Sequence, residues 1–186
     1  MNKIKEFSLR ITSRIKGNRD IMFLPISKLF NSLGFTPNGL TIISLLSGIL
    51  AAIFLNISKD LFLLFIFLHF LFDLFDGSLA RYQGLKNKKG WWIDYATDRI
   101  VTISVLFSAI FLVTEKIIPI LALFFYVSGH AIYLIKKREY QLFYYALIFY
   151  ILIYFNPYIA VVFFLIMAIL NLVQVMIQII FIKKGV

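Results

Sequence analysis

No cysteine occurs anywhere in the 186 residues. That excludes a disulfide framework, a thiolate nucleophile and any zinc site built on cysteine. Charge is scarce too: Asp, Glu, Lys and Arg make up 15% of the chain, against about 25% in soluble domains. Acidic residues are scarcest, nine against nineteen basic ones, for a net charge of +10. Repeats, low-complexity linkers and Gly/Ser tracts are missing as well, so the sequence reads as a single domain over residues 1–186. What fills the chain is apolar, 61% hydrophobic with 18% aromatic and a mean hydropathy of +0.90. The class implied is an integral membrane protein with no room for a separate soluble catalytic domain. In a soluble chain such a basic excess would suggest nucleic acid. In a membrane chain the placement of the charges matters more than their sum, and no nucleic-acid partner is expected.

Nearly uncharged windows of about twenty residues read as spanning helices. Six are expected, at roughly 40–57, 61–82, 92–114, 117–135, 140–155 and 158–182, with breaks at Ser58-Lys59-Asp60, Gly84 to Gly90, Glu115-Lys116, Lys136 to Glu139 and Asn156-Pro157. Ahead of this six-span region, 36–186, residues 1–35 alternate apolar Ile4, Phe7, Ile11 and Ile15 with Lys3, Lys5, Arg10, Arg14, Lys16 and Arg19. That pattern predicts an amphipathic helix lying in the interface. The first long apolar stretch begins near Leu40, too far along for a cleaved signal peptide, so the arm is expected to be retained. The predicted fold is therefore all-α, six transmembrane helices preceded by an interfacial helix.

Orientation follows from the basic residues. Seven lie in the arm, four from Arg81 to Lys89, three at Lys136, Lys137 and Arg138, and two at Lys183 and Lys184, all on one side of a six-span arrangement; the other side has Lys59 and Lys116, and Arg99 lies within a span. The basic side is then cytoplasmic, with both termini there and Trp91-Trp92 at the interfacial aromatic belt. Attraction to anionic membrane lipids accounts for the rest of the excess.

Four of the nine acids, Asp73, Asp76, Asp94 and Asp98, fall within or at the mouths of the second and third spans. A carboxylate inside the bilayer costs a few kcal/mol on insertion scales and marks a function when it is kept. Asp73 and Asp76 share a helical face with Gly77, Ala80 and Arg81, and Gly90, Asp94 and Asp98 follow at four-residue steps. Two antiparallel helices would bring the four carboxylates together at the cytoplasmic end. There they repel unless protons or cations intervene. All-oxygen ligation suits Mg²⁺, Mn²⁺ or Ca²⁺, and four carboxylates accommodate two ions. The small residues read equally as tight helix packing and as room for a ligand at the backbone.

The run Asp73-x-x-Asp76-Gly77-x-x-Ala80-Arg81, eight residues, then Gly90-x-x-x-Asp94-x-x-x-Asp98 resembles the signature of the CDP-alcohol phosphotransferase family at all eight fixed positions. Thr36-Pro37-Asn38, with Leu40 and Thr41, resembles the element preceding the first span in many members. The resemblance implies transfer of a phosphatidyl-type group from a CDP-linked lipid to a small polar alcohol, with release of CMP. It implies two Mg²⁺ or Mn²⁺ ions on Asp73, Asp76, Asp94 and Asp98, with Asp98 as the catalytic base. Asp73, Asp76, Gly77, Ala80, Arg81 and Gly90 would bind the CDP moiety. It also implies a homodimer.

The acceptor is less legible. Ser128-Gly129-His130-Ala131-Ile132-Tyr133 stands where several subgroups carry Arg-containing runs; inositol phosphate or glycerol phosphate is favoured, with Lys136, Lys137 and Arg138 as candidate acceptor-binding residues that serve equally as topological anchors. His69, one turn before Asp73, reads as a partner of the metal site or as a satisfied core residue. His130 is expected to pack, and Asn171 and Gln174 to bond between helices. The rival reading of the acidic cluster is a divalent-cation transporter or channel. Against it stand the glycines and an arginine beside the acids.

Overall fold

The computed structural model describes residues 22–85, 88–136 and 145–183. Among them the secondary structure is entirely helical: α1 (22–32), α2 (Pro37–Phe54), α3 (Lys59–Tyr82), α4 (Lys88–Ala109), α5 (Ile117–Lys136), α6 (Tyr145–Phe155) and α7 (Pro157–Lys183). The basic arm up to Ile21, and Lys137 and Arg138, lie outside the described residues.

Local sequence sets the helix ends. Thr36 caps α2, its Oγ1 accepting the Gly39 N–H at 3.1 Å, and Pro37 occupies the first helical position, where its missing N–H costs nothing. Asn156 and Pro157 repeat the device at α7, with the Ile159 N–H on Asn156 Oδ1 at 3.1 Å. Ser58 caps α3 through the Leu61 N–H at 3.4 Å. The C-termini of α1 and α3 close alike. Gly34 and Gly84 take positive φ of 77° and 67°, a conformation that strains any residue with a β-carbon. Phe35 N–H then reaches Phe30 O at 3.0 Å, and Leu85 N–H reaches Ala80 O at 2.9 Å. The Phe30 and Phe35 rings pack edge to face at 5.3 Å across the first of these turns.

α2, α3 and Pro157–Ile177 of α7 are long and apolar enough to cross a membrane, and Ile117–Ile132 and Tyr145–Phe155 are shorter apolar helices. Large apolar side chains stand exposed along them, among them Ile42, Leu46, Phe67, Phe124, Ile151 and Leu170. So much outward apolar surface belongs against lipid. The third apolar stretch was expected to run as a helix to residue 114, but α4 ends at Ala109 and its chain continues in tight turns, Ile110 N–H on Phe107 O and Phe111 N–H on Ser108 O. Apolarity alone does not extend a helix.

The chain divides into two compact units. In the first, residues 22–47 with Phe67–Asp98, the buried side chains are mostly polar: Ser27, Thr41, Ser44, Ser47, His69, Asp76, Ser78 and Thr97 beside Leu40 and Leu79. Ser27 of α1 donates to Ser78 of α3 at 3.0 Å, and Phe75 packs between Phe23 and Phe30. In the second, Gly48–Ile66 with residues 99–183, the interior is apolar, built on Phe62, Val101, Val105, Leu106, Phe149 and Phe164. There α5 and α6 both pack on α7. Asn171 of α7 donates to Tyr145 of α6 at 3.4 Å, an interhelical bond of the expected kind. His130 is buried edge to face on Tyr126 at 4.4 Å, and Arg99 donates to the Tyr126 hydroxyl at 3.2 Å.

Gly48 holds α2 against α4 in this second unit. A β-carbon on it would overlap the Val101 isopropyl group, standing 2.6 Å from Cγ1. Gly48→Ala is expected to lower the melting temperature in detergent, at a cost of about 1–3 kcal/mol for overpacking. Val101→Ala in the same chain should restore most of it. A melt unchanged by Gly48→Ala would remove the close-packing argument.

Candidate active site

The carboxylates belong to the first unit. Asp73 and Asp76 come from α3 and Asp94 from α4, and one potential ligand atom from each lies within 4.8 Å of the others. Asp76 is buried, and Asp73 Oδ1 is buried without a hydrogen-bond partner. Acceptor oxygens in that state are costly unless something electropositive meets them.

Asp98, one turn after Asp94 on α4, is not one of the three that gather within 4.8 Å. Its side chain is 42% exposed, and its Oδ1 lies 4.0 Å from Nε2 of His69, which is 2% exposed. The His69 ring is fixed from behind by Ser44 of α2. The Ser44 hydroxyl donates to the His69 carbonyl at 2.9 Å, so its 2.8 Å contact with Nδ1 requires Nδ1–H to be the donor. Ser44 O, 3.2 Å from Nδ1, is a second acceptor for the same proton. This network assigns the neutral ring's proton to Nδ1 and turns the Nε2 lone pair toward Asp98. His69 is thus both a satisfied core residue and a neighbour of the acidic site, two roles that the sequence had set as alternatives.

A cavity of about 450 Å³ opens beside the carboxylates. Its wall includes six signature residues, Asp76, Gly77, Ala80, Arg81, Gly90 and Asp94. The Arg81 guanidinium lies against Gly77, with Nη1 3.4 Å from where a β-carbon would sit, so a larger side chain at 77 would push into the arginine. Four wall residues come from the capped start of α2: Thr36, Pro37, Asn38 and Thr41. Leu85, Lys89 and Trp91 complete the lining, and Trp91 stacks on Tyr95 at 5.4 Å. Sequence reasoning noted the Thr36–Thr41 element without giving it a task and passed over Lys89. Its position next to Gly90 was the available signal. Lys136 ends α5, and the other two candidate acceptor residues fall outside the described part.

Clustered carboxylates beside a cavity that also holds Arg81 and Lys89 suit a membrane enzyme that handles phosphorylated substrates. Its kind is given by the family model for CDP-alcohol phosphatidyltransferase, which matches residues 35–180; the chain belongs to that family. Among solved structures, the phosphatidylinositol phosphate synthase of Mycobacterium tuberculosis in its apo form shares the fold, with a TM-score of 0.68 at 17% identity over 82% of this chain and 93% of that one. No curated protein matches the sequence. The protein is an integral membrane phosphotransferase of phospholipid head-group chemistry, with a CDP-alcohol and an alcohol as its substrates.

Proposed function

We infer that this protein moves a phosphatidyl-type group from a CDP-linked lipid, CDP-diacylglycerol or CDP-archaeol, to a small polar alcohol with release of CMP. The observation that carries this reading is the gathering of Asp73, Asp76 and Asp94 within 4.8 Å beside a cavity walled by Arg81 and Lys89. A cation pathway would gain nothing from those two positive side chains, whereas a diphosphate would.

Three clustered carboxylates, one with a buried oxygen lacking a partner, fit Mg²⁺ or Mn²⁺. Asp73, Asp76, Asp94 and Asp98 would hold two such ions, which would supply positive charge to the diphosphate. The remaining work falls to the chain itself. Arg81 and Lys89 offer positive charge to phosphate oxygens. Gly77, Ala80 and Gly90 keep the wall low enough for the nucleotide to approach the backbone, and with Asp73, Asp76 and Arg81 they form the CDP site. Asp98 accepts the proton of the acceptor hydroxyl as that oxygen bonds to the β-phosphorus; the bond from that phosphorus to the bridging oxygen breaks, and CMP leaves.

The same reading places a single domain of six spans behind an interfacial N-terminal helix, with the site and both termini on the cytoplasmic side and the protein as a homodimer. Inositol phosphate and glycerol phosphate are the favoured acceptors, met by Lys136, Lys137 and Arg138.

The test is CMP release by the purified protein in lipid nanodiscs, supplied with either CDP-lipid, Mg²⁺ and a panel of inositol phosphate, glycerol phosphate, serine, glycerol and inositol. Release with one of the two phosphorylated acceptors is expected. Well-folded protein that neither binds CDP-lipid nor releases CMP would sink the reading.

A further inference from the structure

We propose that Thr41 is the positioning residue for Asp76, holding its carboxylate toward Asp73 and Asp94 and so setting the affinity of the site for divalent ions. The inference rests on the metal-site reading above.

Thr41 lies on the second turn of α2, 5% exposed, with Oγ1 2.5 Å from Asp76 Oδ2. The same Oγ1 is 3.1 Å from the Pro37 carbonyl one turn earlier. A hydroxyl has one proton, and these two acceptors compete for it. A helical threonine without other partners gives its proton to the carbonyl four residues back. Here the shorter contact goes to the carboxylate, at the length of an O–H donor on an ionised acceptor.

The competing acceptor helps to fix the geometry. Threonine in a helix divides between two rotamers, one of which aims Oγ1 at the preceding turn. Both contacts require that Oγ1 position, so the Pro37 carbonyl and the carboxylate select it together. Pro37 is itself fixed as the first residue of a helix that Thr36 caps. The line of support runs from a helix N-terminus to one oxygen of Asp76, leaving other lone pairs of that carboxylate for a cation shared with Asp73 and Asp94.

Serine at this position would keep the proton donor. Valine would keep the shape and lose it. Removing a partner that orients a ligand typically weakens metal affinity by about 10–100-fold. The full chain in nanodiscs is titrated with Mn²⁺, and free Mn²⁺ is read by electron paramagnetic resonance. Thr41→Val should raise the Mn²⁺ Kd by about 10–100-fold, with Thr41→Ser close to the unaltered protein. Thr41→Ala, which removes the hydroxyl without setting a methyl against the carboxylate, supplies the same reading if the valine variant does not fold.

Melting in EDTA separates a structural role from a positioning one. A lower melting temperature with unchanged Mn²⁺ affinity in both hydroxyl-free variants would overturn the proposal and leave the site reading standing. Failure of the unaltered protein to take up Mn²⁺ would overturn both.

Discussion

Asp98→Asn should slow single-turnover CMP release by about 10²–10⁴-fold at saturating CDP-lipid and Mg²⁺, the usual contribution of a positioned general base. The substitution keeps size and shape and removes the basic oxygen. It should also leave the surroundings intact, because the 42% exposed side chain lies 4.0 Å from His69 Nε2 and an amide of the same shape fits that place. Asp98 is the carboxylate outside the close trio, and its exposure leaves it accessible to an incoming hydroxyl. Donor binding, followed by equilibrium dialysis of labelled CDP-lipid in nanodiscs, should remain near that of the unaltered protein. Full turnover with normal donor binding would show that the proton goes elsewhere.

Asp73→Asn should raise stability in the metal-free state and, like Asp98→Asn, slow catalysis. Two ionised carboxylates within 4.8 Å of one another repel by about 3.5 kcal/mol or more at an effective dielectric of about 20, and Asp73 adds a buried oxygen that no donor meets. The metal-free site is therefore under strain that a neutral amide relieves. The expected result is a higher melting temperature in EDTA and loss of the stabilisation that Mg²⁺ gives the unaltered protein. Turnover should fall by about 10³-fold, which corresponds to about 4 kcal/mol of lost charge stabilisation. A melting temperature that drops in EDTA, or a Mg²⁺-induced shift that survives, would argue that Asp73 is a structural acceptor rather than a ligand.

The punctuation of this chain was legible before its contacts were. Ser58 and Asn156-Pro157, read as breaks between apolar stretches, are the caps of α3 and α7. The start of α4 at Lys88 and its end at Ala109 were misplaced, because hydropathy measures what a segment faces and not whether its backbone is helical. At the site, helical spacing along α3 and α4 was enough to nominate all four aspartates. Spacing could not say that Asp98 would also face His69. Nor could it find the Thr41–Asp76 bond or the Ser44–His69 contacts, which join residues 35 and 25 positions apart on different helices. Side-chain periodicity along one helix carries no information about which partner another helix brings.

The composition of α3 bears on how the protein is made. Its 24 residues hold Asp73, Asp76 and His69 along with seven Leu, six Phe and one Ile. On the scale of translocon insertion, each such apolar residue gains about 0.3–0.6 kcal/mol and each aspartate near the centre loses about 2.5–3.5. The aspartates offset a good part of the apolar gain, so insertion of this helix leans on its leucines and phenylalanines. Trimming its leucines and phenylalanines to alanine would then show first as failed biogenesis, with little chain reaching the membrane, while the molecules that did insert kept their catalytic groups.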